Sequence, residues 1–382
     1  MNNTPQILHL ASFRGNIGDI VNHGSFRRWF EKVGNVLPKW TNLEIRDYFR
    51  GHWSFDQDFI DLVNSHDLLV IGGGNFFETW PENSSSGTSI DLRVEEIEKI
   101  KKPVFINSIG LDTAQGISAN ARHQLPRIVK YFTEAPGRII SLRNDGSISN
   151  LSNLAPEIDT TGIPVLPDAA FYLDTPNSKY TDCPVLGVNL AQDMAPLRFT
   201  SGEPTAFLKV VTETIEAFYG KHPDHIIRFF PHIYSDFGLI SRILEQLSDS
   251  LRRESVQVVE YSQDDRGAAN LVNAYADCTM VWAMRFHASV IPIGLGVPTL
   301  GIVTYPQIDH VFREVGMSDF TVDGLNLELL SSRILDISEI LAQKPSRAQS
   351  SHELRRCLGL QREQFANRLK TWLTENRITE EV

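Results

Sequence analysis

The chain has 382 residues and a formal net charge of −11, and 42% of its residues are hydrophobic while 22% are charged. This composition is typical of a globular protein with two domains. The acidic balance argues against a protein that mainly binds nucleic acid or coats an anionic membrane. The three cysteines form no CxxC pair, so neither a disulfide framework nor a zinc site is predicted. We expect a cytoplasmic protein without a signal peptide, because no basic and apolar leader opens the sequence and no apolar run is long enough to span a membrane.

Short apolar runs alternate with amphipathic stretches along most of the chain. The predicted strands are Gln6–Ala11, Asp67–Ile71, Val104–Ser108, Ile139–Leu142, Val185–Asn189, Ile226–Pro231, Val256–Val259, Cys278–Trp282 and Thr299–Val303. The predicted helices include Val21–Val33, Ile90–Ile100, Ala119–Phe132, Pro204–Tyr219 and Phe237–Leu251. Alternation of this kind predicts parallel sheets with helices on both faces.

The pattern falls into two blocks separated by a segment rich in Pro, Asn, Ser, Thr and Asp. We predict an α/β fold of two doubly wound, Rossmann-like domains with a C-terminal helical tail. The expected boundaries are 1–173 for the first domain, 174–184 for the linker, 185–325 for the second domain and 326–382 for the C-terminal helices. A ligand is expected in the cleft between the domains, at the carboxyl ends of strands.

The segment "ASFRGNIGDIVNHG" follows the first predicted strand. Gly15 and Gly18 permit a tight turn, and Asn16 or Asp19 can cap the next helix, whose first amides favour an anion. The segment matches neither a dinucleotide fingerprint nor a P-loop. Two interpretations stay open: an ordinary strand-to-helix turn, or a buried and functional Asp19 that acts as a base or orients an acceptor.

The segment "LLVIGGGNFFETW" carries a buried strand into three glycines. Gly73 and Gly74 permit close approach of the backbone to a ligand or to a helix. Asn75 and Glu78 follow at the expected mouth of the cleft. The segment predicts a strand-end loop more firmly than it predicts binding.

Two further strand ends carry polar residues. In "IISLRNDGSISNL", Arg143, Asp145 and Ser147 follow a strand, although a helix cap and an Arg143–Asp145 surface pair would also explain them. In "IIRFFPHIYSDFGLI", His232 ends a strand and Asp236 precedes a helix. A lone histidine there is more often structural, and a helix cap is the simplest explanation for Asp236.

The segment "VWAMRFHASVIPIGLG" places Arg285 and His287 inside an almost wholly apolar run. If a strand ends just before them and a helix begins behind them, they form an anion pocket with the helix amides. A buried arginine without a partner is costly, so an anion must be present. Whether that anion is a carboxylate of the protein or part of a ligand is left open by the sequence.

Taken in order, several motifs resemble the polysaccharide pyruvyl transferase family. They are "GNIGD", "IGGGNFFE", "SIG", "SLRNDGS", "LPDAAF", "PHIYSD" and "RFHASVIPIGLGVPTLGI", and they cover roughly Gly15 to Tyr305. The resemblance implies a two-domain fold like that of GT-B glycosyltransferases, with the acceptor on the N-terminal domain and the anionic donor on the C-terminal one. It implies transfer of a pyruvyl group from phosphoenolpyruvate to two hydroxyls of a sugar in surface polysaccharide assembly, without a metal or other cofactor.

Carried over residue by residue, the resemblance assigns phosphoenolpyruvate to Arg143, Arg285 and His287, with Asp19 as a candidate acid or base. The family usually continues after Tyr305 with a lysine, where this chain has Gln307. The expected substrate-binding set also includes Asn16, Gly73, Gly74, Asn75, Glu78, Asp145, Ser147, His232 and Tyr305. The acceptor is expected to be a sugar, a nucleotide-sugar or a lipid-linked sugar, and a homo-oligomer is left open.

Two alternatives remain beside this interpretation. The first is a nucleotide-sugar glycosyltransferase on the same fold, whose diphosphate would occupy the pocket at Arg285 and whose ribose would need a carboxylate such as Glu260. The second is a binding protein that has lost catalysis with the lysine at position 307. Release of phosphate from phosphoenolpyruvate separates the first interpretation from both alternatives, and binding of UDP or GDP separates the alternatives.

Overall fold

The computed structural model describes residues 4–174, 183–199, 204–343 and 347–379. The predicted linker therefore lies mostly outside the described residues. The chain divides into two compact units, which are described separately below. Unit 1 comprises Met1–Arg14, Asn22–Ala169 and Cys357–Val382, and unit 2 comprises Gly15–Val21 and Ala170–Arg356.

Unit 1 is built on a parallel five-stranded sheet. Its strands are β1 (Gln6–Ala11), β2 (Lys39–Glu44), β3 (Leu68–Gly72), β5 (Val104–Ile109) and β7 (Arg138–Leu142). The order across the sheet is β2-β1-β3-β5-β7. Two short strands, β4 (Phe77–Glu78) and β6 (Leu111–Asp112), pair in parallel beside it. The chain winds in one direction from β1 to β2 and in the other from β1 to β3, so the carboxyl ends of β1 and β3 mark the expected ligand position of this unit.

Helices cover the sheet of unit 1 because strands buried on both faces must be shielded from water. They are α1 (Ile17–Gly34), whose first turn belongs to unit 2, and α2 (Ile45–Phe49), α3 (Gln57–Asn64), α4 (Val94–Ile97), α5 (Ala119–Glu134), α6 (Ser147–Leu154) and α15 (Arg347–Glu375). Phe365, Leu369, Trp372 and Leu373 of α15 pack in one cluster with β1, β3 and α1 residues. Helix α15 thus completes the apolar core around β1, β3 and α1.

Unit 2 is built on a parallel six-stranded sheet. Its strands are β8 (Val185–Val188), β9 (Ile226–Phe229), β10 (Val256–Val258), β11 (Met280–Ala283), β12 (Thr299–Val303) and β13 (Thr321–Asp323), in the order β10-β9-β8-β11-β12-β13. This is the order of a dinucleotide-binding fold, in which the winding reverses between the first and fourth strands. Here the reversal lies between β8 and β11, and it identifies the edge of the sheet where a ligand is expected.

The helices of unit 2 bury apolar faces against both sides of this sheet. They are α7 (Ala195–Arg198), α8 (Thr205–Lys221), α9 (Asp236–Gln246), α10 (Asp249–Glu254), α11 (Asp265–Ala276), α12 (Phe286–Gly294), α13 (Pro306–Glu314) and α14 (Leu327–Gln343). Helix α12 is buried along its whole length, which explains why the sequence around it is almost uniformly apolar. Its position directly behind β11 fixes Arg285 at the strand-to-helix turn.

The predicted architecture of two doubly wound α/β domains is confirmed, and most predicted strands agree to within two residues. The prediction of a single helix over Phe237–Leu251 is wrong, because a break at Leu247–Ser248 divides it into α9 and α10. The prediction of a helix over Ile90–Ile100 holds only for Val94–Ile97. Strands β2 and β13 lie at sheet edges with partly exposed residues, so no apolar run revealed them.

The division into units differs from the expected boundaries at both ends of the chain. Residues Gly15–Val21 group with unit 2, although they precede most of unit 1 in sequence. The expected C-terminal tail is two helices that lie in different units, α14 in unit 2 and most of α15 in unit 1. Within the part of the chain that the structure describes, no helix combines the length and the apolar character needed to cross a membrane.

Candidate functional site

The carboxyl edge of the unit 2 sheet carries a buried arginine at the point where the winding reverses. Arg285 ends the turn after β11 and is the residue before α12. Its backbone N–H donates to Asn189 Oδ1 at 3.0 Å, and Asn189 follows β8. The side-chain amide of Asn189 donates in turn to the carbonyl of Phe230 at 2.8 Å, after β9. One asparagine therefore ties together three neighbouring strand ends.

Two carboxylates of the same unit hold the guanidinium of Arg285. Its Nε donates to Asp236 Oδ2 at 3.0 Å, its Nη2 contacts the other oxygen of Asp236, and Nη2 lies 2.7 Å from Asp193 Oδ1. Burial would lower the pKa of Arg285, but the two carboxylates outweigh it and raise that pKa above its ordinary value. The question that the sequence left open is thereby answered: the protein itself supplies anions to Arg285.

Asp236 does not cap a helix with its side chain, contrary to the simplest interpretation of the sequence. It is the first residue of α9, and Ser235 is the residue before that helix. Its Oδ2 accepts hydrogen bonds from the backbone N–H of His232 at 2.9 Å and of Ile233 at 3.1 Å. The same carboxylate thus shapes the turn after β9 and fixes Arg285.

His287 lies in the first turn of α12, beside a carboxylate from the first turn of α1. Its Nδ1 is 3.3 Å from Asp19 Oδ1, and the two side chains are 5% and 14% exposed. The approach depends on Gly18, because a Cβ atom there would lie 2.4 Å from the Cβ of His287. Asn16 Oδ1 accepts from the N–H of Gly18 at 3.0 Å, so Asn16 orders the turn that presents Asp19. A carboxylate–imidazole contact thus joins residues far apart in sequence.

His232 is wholly buried next to this pair. Its carbonyl accepts from the N–H of Ile17 at 3.0 Å, and its Nε2 lies 2.8 Å from the hydroxyl of Tyr275, which stacks on Phe230. Burial chiefly, and then the charges of Arg285 and His287, lower the pKa of His232 well below its ordinary value. His232 is therefore a neutral histidine that anchors the turn before α1.

A second buried arginine lies at the turn between β12 and α13. Arg198 donates from Nη1 to Thr304 Oγ1 at 3.3 Å and from Nε to the carbonyl of Asp193 at 2.9 Å. Its guanidinium lies over the ring of Tyr305, 5.5 Å from the ring centre. Burial first of all lowers the pKa of Arg198, and the carboxylate of Asp193 opposes this. Gln307 lies in the first turn of α13, so a cation from α7 reaches the turn where the resemblance predicts a lysine.

Unit 1 has its own buried arginine at the carboxyl edge of its sheet. Arg143 Nε donates to Asp145 Oδ2 at 2.8 Å, and Arg143 Nη1 lies 3.6 Å from Asp168 Oδ2. All three residues are at most 3% exposed, so the pair is not the ordinary surface feature that the sequence allowed. Ser147 donates to the other oxygen of Asp145 and accepts from the N–H of Leu111 at 2.8 Å. The cap interpretation of Asp145 and Ser147 is wrong, because α6 follows Gly146 without a side-chain cap.

Asn75 lies next to Arg143 in unit 1, and Glu78 pairs with Asp112, which Asn75 contacts. A Cβ atom on Gly110 would be 2.6 Å from both Arg143 Nη2 and Asn75 Oδ1, so a glycine is needed where these groups converge. Asn75 Nδ2 donates to Asp112 Oδ2 at 3.1 Å, and Asp112 is the register partner of Glu78. Burial chiefly, with Asp112 adding to it, raises the pKa of Glu78 above its ordinary value.

The glycine turn after β3 is held by side chains of the same unit. Asn22 Nδ2 donates to the carbonyl of Gly73 at 2.6 Å, and His9 Nε2 lies 3.2 Å from the carbonyl of Gly72. The carbonyl of Gly74 accepts from the N–H of Gly110 at 2.9 Å. The turn is thus ordered by buried polar groups at the point where the winding of unit 1 reverses.

Comparison with known proteins assigns the fold and the family. The model of the polysaccharide pyruvyl transferase family matches residues 12–305. This chain belongs to the polysaccharide pyruvyl transferase family. No curated protein matches the chain significantly by sequence.

Solved structures place this family member among GT-B-like proteins. Staphylococcus aureus MnaA, in a co-structure with UDP, aligns with a TM-score of 0.58 at 10% identity over 97% of each chain. A glycosyltransferase from Rickettsia africae gives 0.55 at 11% identity, over 97% of this chain and 99% of that one. The UDP-GlcNAc 2-epimerase of Methanocaldococcus jannaschii gives 0.52 at 13% identity, over 93% and 99%. At these identities the likeness concerns the fold, which is GT-B-like as predicted.

Several residues of unit 2 that surround Arg285 and His232 were not among the predicted site residues. Asp193 and Asn189 follow β8, and the strand-end rule that selected the other residues also applies to them. Arg198 and Tyr275 lie in helices, where no sequence signal distinguished them. In the described part of the chain no group of three or more His, Cys, Asp or Glu side chains is arranged to hold a metal ion.

Glu260, the carboxylate considered for a ribose, lies just after the edge strand β10. It accepts from Asn270 Nδ2 at 3.2 Å, and its side chain is 63% exposed, 4.0 Å from Arg266. Neither residue belongs to the buried cluster around Arg285. The structure therefore gives the nucleotide-sugar alternative no buried ribose carboxylate at Glu260.

Proposed function

We propose that the chain transfers a pyruvyl group from phosphoenolpyruvate to two hydroxyls of a sugar and forms a cyclic ketal. The observation that carries the proposal is the buried Asp19–His287 pair, at 3.3 Å, which joins the first turns of α1 and α12. Membership of the polysaccharide pyruvyl transferase family supports the reaction class. A transferase of this kind needs one group that moves protons and a set of donors for an anion, and unit 2 has both.

The donor would bind at the amino terminus of α12. No side-chain hydrogen bond from Arg285 caps that terminus, and the dipole of a helix favours an anion at its amino-terminal end. Arg285 and Arg198 add positive charge, although Asp236 and Asp193 offset it formally. The attraction for the phosphate and carboxylate of phosphoenolpyruvate would therefore depend chiefly on the dipole of α12 and on hydrogen bonds from the side chains around its first turn.

The ketal would form in two steps, in which each sugar hydroxyl in turn attacks C2 of phosphoenolpyruvate. The first hydroxyl oxygen bonds to C2 of phosphoenolpyruvate, the hydroxyl proton leaves, and the electron pair of the C2–C3 double bond takes up a proton at C3. The second hydroxyl oxygen then bonds to C2 and gives up its proton to a base, while the C2–O bond to phosphate breaks and the phosphate departs with the electron pair of that C2–O bond. His287, oriented by Asp19, would exchange protons in these steps. Arginine near the departing phosphate would stabilise the developing charge.

Replacement of the family lysine by Gln307 does not by itself argue for lost catalysis. Arg198 supplies a buried cation at the same turn through its contacts with Thr304 and Tyr305. A guanidinium offers a planar set of donors that suits a carboxylate or phosphate. We propose that Arg198 takes over the anion contact that the lysine makes elsewhere.

Calorimetric titration of phosphoenolpyruvate, with UDP as a parallel ligand, tests the proposal. We expect phosphoenolpyruvate to bind and to release phosphate when a saccharide acceptor is present. Binding of UDP with no binding of phosphoenolpyruvate would instead favour a nucleotide-sugar enzyme, the alternative suggested by structural neighbours whose names mention UDP and UDP-GlcNAc. Binding of neither ligand would reject both activities. A cytoplasmic location, independence from metal ions and a nucleotide- or lipid-linked acceptor are proposed with the reaction.

A further inference from the structure

Two carboxylates contact the guanidinium of Arg285, but they hold it in different ways. Asp236 is 1% exposed, contacts both Nε and Nη2, and also accepts two backbone hydrogen bonds from the turn after β9. Asp193 is 33% exposed, and its Oδ1 lies 2.7 Å from Nη2 without a hydrogen bond of normal geometry among the described residues. The guanidinium fork is thus aligned on Asp236 and not on Asp193. Asp236 is the fixed partner of Arg285, and Asp193 is the partner that can exchange.

The oxygen of Asp193 that contacts Arg285 is also near a second guanidinium. Asp193 Oδ1 lies 3.8 Å from Nε of Arg198, which is buried beside it. Burial would raise the pKa of Asp193, but the charges of Arg285 and Arg198 outweigh it and lower that pKa below its ordinary value. Guanidinium groups that converge on one oxygen form the arrangement expected for a bound phosphate or carboxylate. Asp193 Oδ1 therefore occupies a position where an anionic ligand would place an oxygen.

The backbone turn that carries Asp193 is strained. Met194 has a φ of 56°, in the left-handed region that residues other than glycine rarely adopt. The carbonyl of Asp193 accepts from Arg198 Nε at 2.9 Å, and the carbonyl of Met194 accepts from the N–H groups of Leu197 and Arg198. These bonds fix the backbone, so the carboxylate of Asp193 can leave the arginines by rotation of its side chain alone. A strained turn that directs a carboxylate at two arginines points to a functional role for that carboxylate.

The charges around Arg285 determine what such an exchange does. Arg285 and Arg198 carry two positive charges, and Asp236 and Asp193 carry two negative ones, so these four side chains are formally neutral. Rotation of Asp193 out of the contact leaves one excess positive charge for a ligand. Every anion must meet the same cost of displacing Asp193. Weakly bound anions such as chloride therefore leave the arginines to Asp193, whereas a phosphate group with nearly two negative charges can displace it.

We propose that Asp193 is an internal competitor of the phosphate group at Arg285 and Arg198. Its carboxylate gives way when a phosphate-bearing ligand binds, and it returns to displace inorganic phosphate. This role rests on the proposed function, in which phosphate arrives with phosphoenolpyruvate and remains as a product. No covalent bond changes in the exchange, because one anionic partner of the arginines replaces another. Asp193 thereby limits how tightly the donor binds and speeds the departure of the product phosphate.

Calorimetric titration of inorganic phosphate into the full-length protein tests this role. Asp193→Asn keeps the size of the side chain and removes its charge, so phosphate affinity should rise roughly tenfold or more. Asp249→Asn is the matched control, because Asp249 also contacts two arginines, Arg252 and Arg253, but is 64% exposed. This control should bind phosphate as the wild type does. Equal or weaker phosphate affinity in Asp193→Asn, or no binding to it at millimolar concentrations, would overturn the proposal.

Melting temperatures separate exchange from a structural role. Asp236→Asn should lower the melting temperature strongly, because it removes the fixed partner of Arg285. Asp193→Asn should lower it far less, since Arg285 keeps Asp236. If both variants lose stability to the same degree, Asp193 belongs to the fold and the proposal fails. Asp193→Ala lacks an amide that could donate to the ligand, and it should also bind phosphate more tightly than the wild type does.

Enzyme kinetics distinguish a failure of this proposal from a failure of the proposed function. The phosphate titration needs neither phosphoenolpyruvate nor a sugar, so tighter phosphate binding in Asp193→Asn would stand even if no pyruvyl transfer were found. In an active enzyme, inorganic phosphate should inhibit Asp193→Asn at about one-tenth of the concentration that inhibits the wild type. Equal inhibition of the two active proteins would overturn the role of Asp193 alone.

Discussion

Asp19 and His287 lie 3.3 Å apart although the first opens α1 and the second opens α12. The contact is possible because residue 18 has no side chain, since a Cβ atom there would lie 2.4 Å from the Cβ of His287. An aspartate and a histidine that are far apart in sequence are therefore neighbours in unit 2.

Asp19→Asn and His287→Asn should lower the rate of phosphate release by about 100-fold or more, the usual effect of removing a general acid–base group. Affinity for phosphoenolpyruvate should change less in Asp19→Asn than in His287→Asn, because only the imidazole can carry a positive charge toward the ligand. Stopped-flow phosphate release and calorimetry measure the two effects separately. Full turnover in both variants would remove the pair from catalysis.

Arg285→Met should destabilise the protein strongly, because Asp236 would remain buried without its partner. Loss of one member of a buried ion pair costs about 3–5 kcal/mol. Urea unfolding gives the change in free energy, and Arg253→Ala is the control, since the Arg253 side chain is 76% exposed and pairs only at the surface. The double variant Arg285→Met/Asp236→Leu should recover part of the loss. A stable Arg285→Met protein that merely fails to bind phosphoenolpyruvate would show that the arginine serves the ligand and not the fold.

Arg198→Met should weaken phosphoenolpyruvate binding about 10- to 100-fold, the range expected for lost hydrogen bonds to a charged ligand. Adding Gln307→Lys to that variant should restore much of the affinity, because the new ammonium would enter the same turn. Arg266→Met is the matched control, since the side chain of Arg266 is 79% exposed. Calorimetric titration of phosphoenolpyruvate into the wild type, Arg198→Met, Arg198→Met/Gln307→Lys and Arg266→Met measures these affinities. If Gln307→Lys restores nothing, Arg198 does not replace the lysine.

Stability should fall as the solution becomes acidic. Burial is the first cause that lowers the pKa of His9 in unit 1 and of His232 in unit 2 well below 6.5. The unfolded chain therefore takes up these protons first, so the stabilisation is complete above pH 6.5 and is lost as the pH falls below it. Each histidine should contribute a slope of about 1.4 kcal/mol per pH unit in that region.

Urea unfolding at several pH values below neutrality measures these slopes. His232→Gln should remove the contribution of one proton, because the longer amide side chain can keep a polar group near the Nε2 position, which lies 2.8 Å from the Tyr275 hydroxyl, and does not titrate. A pH dependence identical to that of the wild type would show that His232 is not held neutral by the fold.

The sequence predicted the strands well because those strands are continuous apolar runs. The strands β1 and β12 were predicted to the residue. The same rule placed Arg285, His232 and Arg143 correctly at strand ends. It could not show which partner each would meet, because strand-end loops converge only when the order of the strands in the sheet is known.

The errors have a common physical cause. Asp236, Asp145 and Ser147 were each consistent with helix caps, since short polar side chains before a helix usually serve that purpose. In the structure Asp236 and Asp145 instead neutralise buried arginines, and Ser147 hydrogen-bonds to Asp145. A cap is a local property that a sequence window contains, whereas charge neutralisation depends on a partner brought by another segment, such as Arg285 for Asp236. Arg198 and Tyr275 were missed for the same reason.

The packing of α15 against the first strands of unit 1 has a consequence for synthesis of the protein. Phe365, Leu369 and Trp372 complete a cluster that also contains Phe26 and Phe105. Until the ribosome has made α15, the side chains of the unit 1 sheet and of α1 that this helix covers remain exposed to water. Synthesis of unit 1 therefore begins before that of unit 2 and is completed after it, and a chain terminated before α15 would leave apolar residues of the unit 1 sheet exposed.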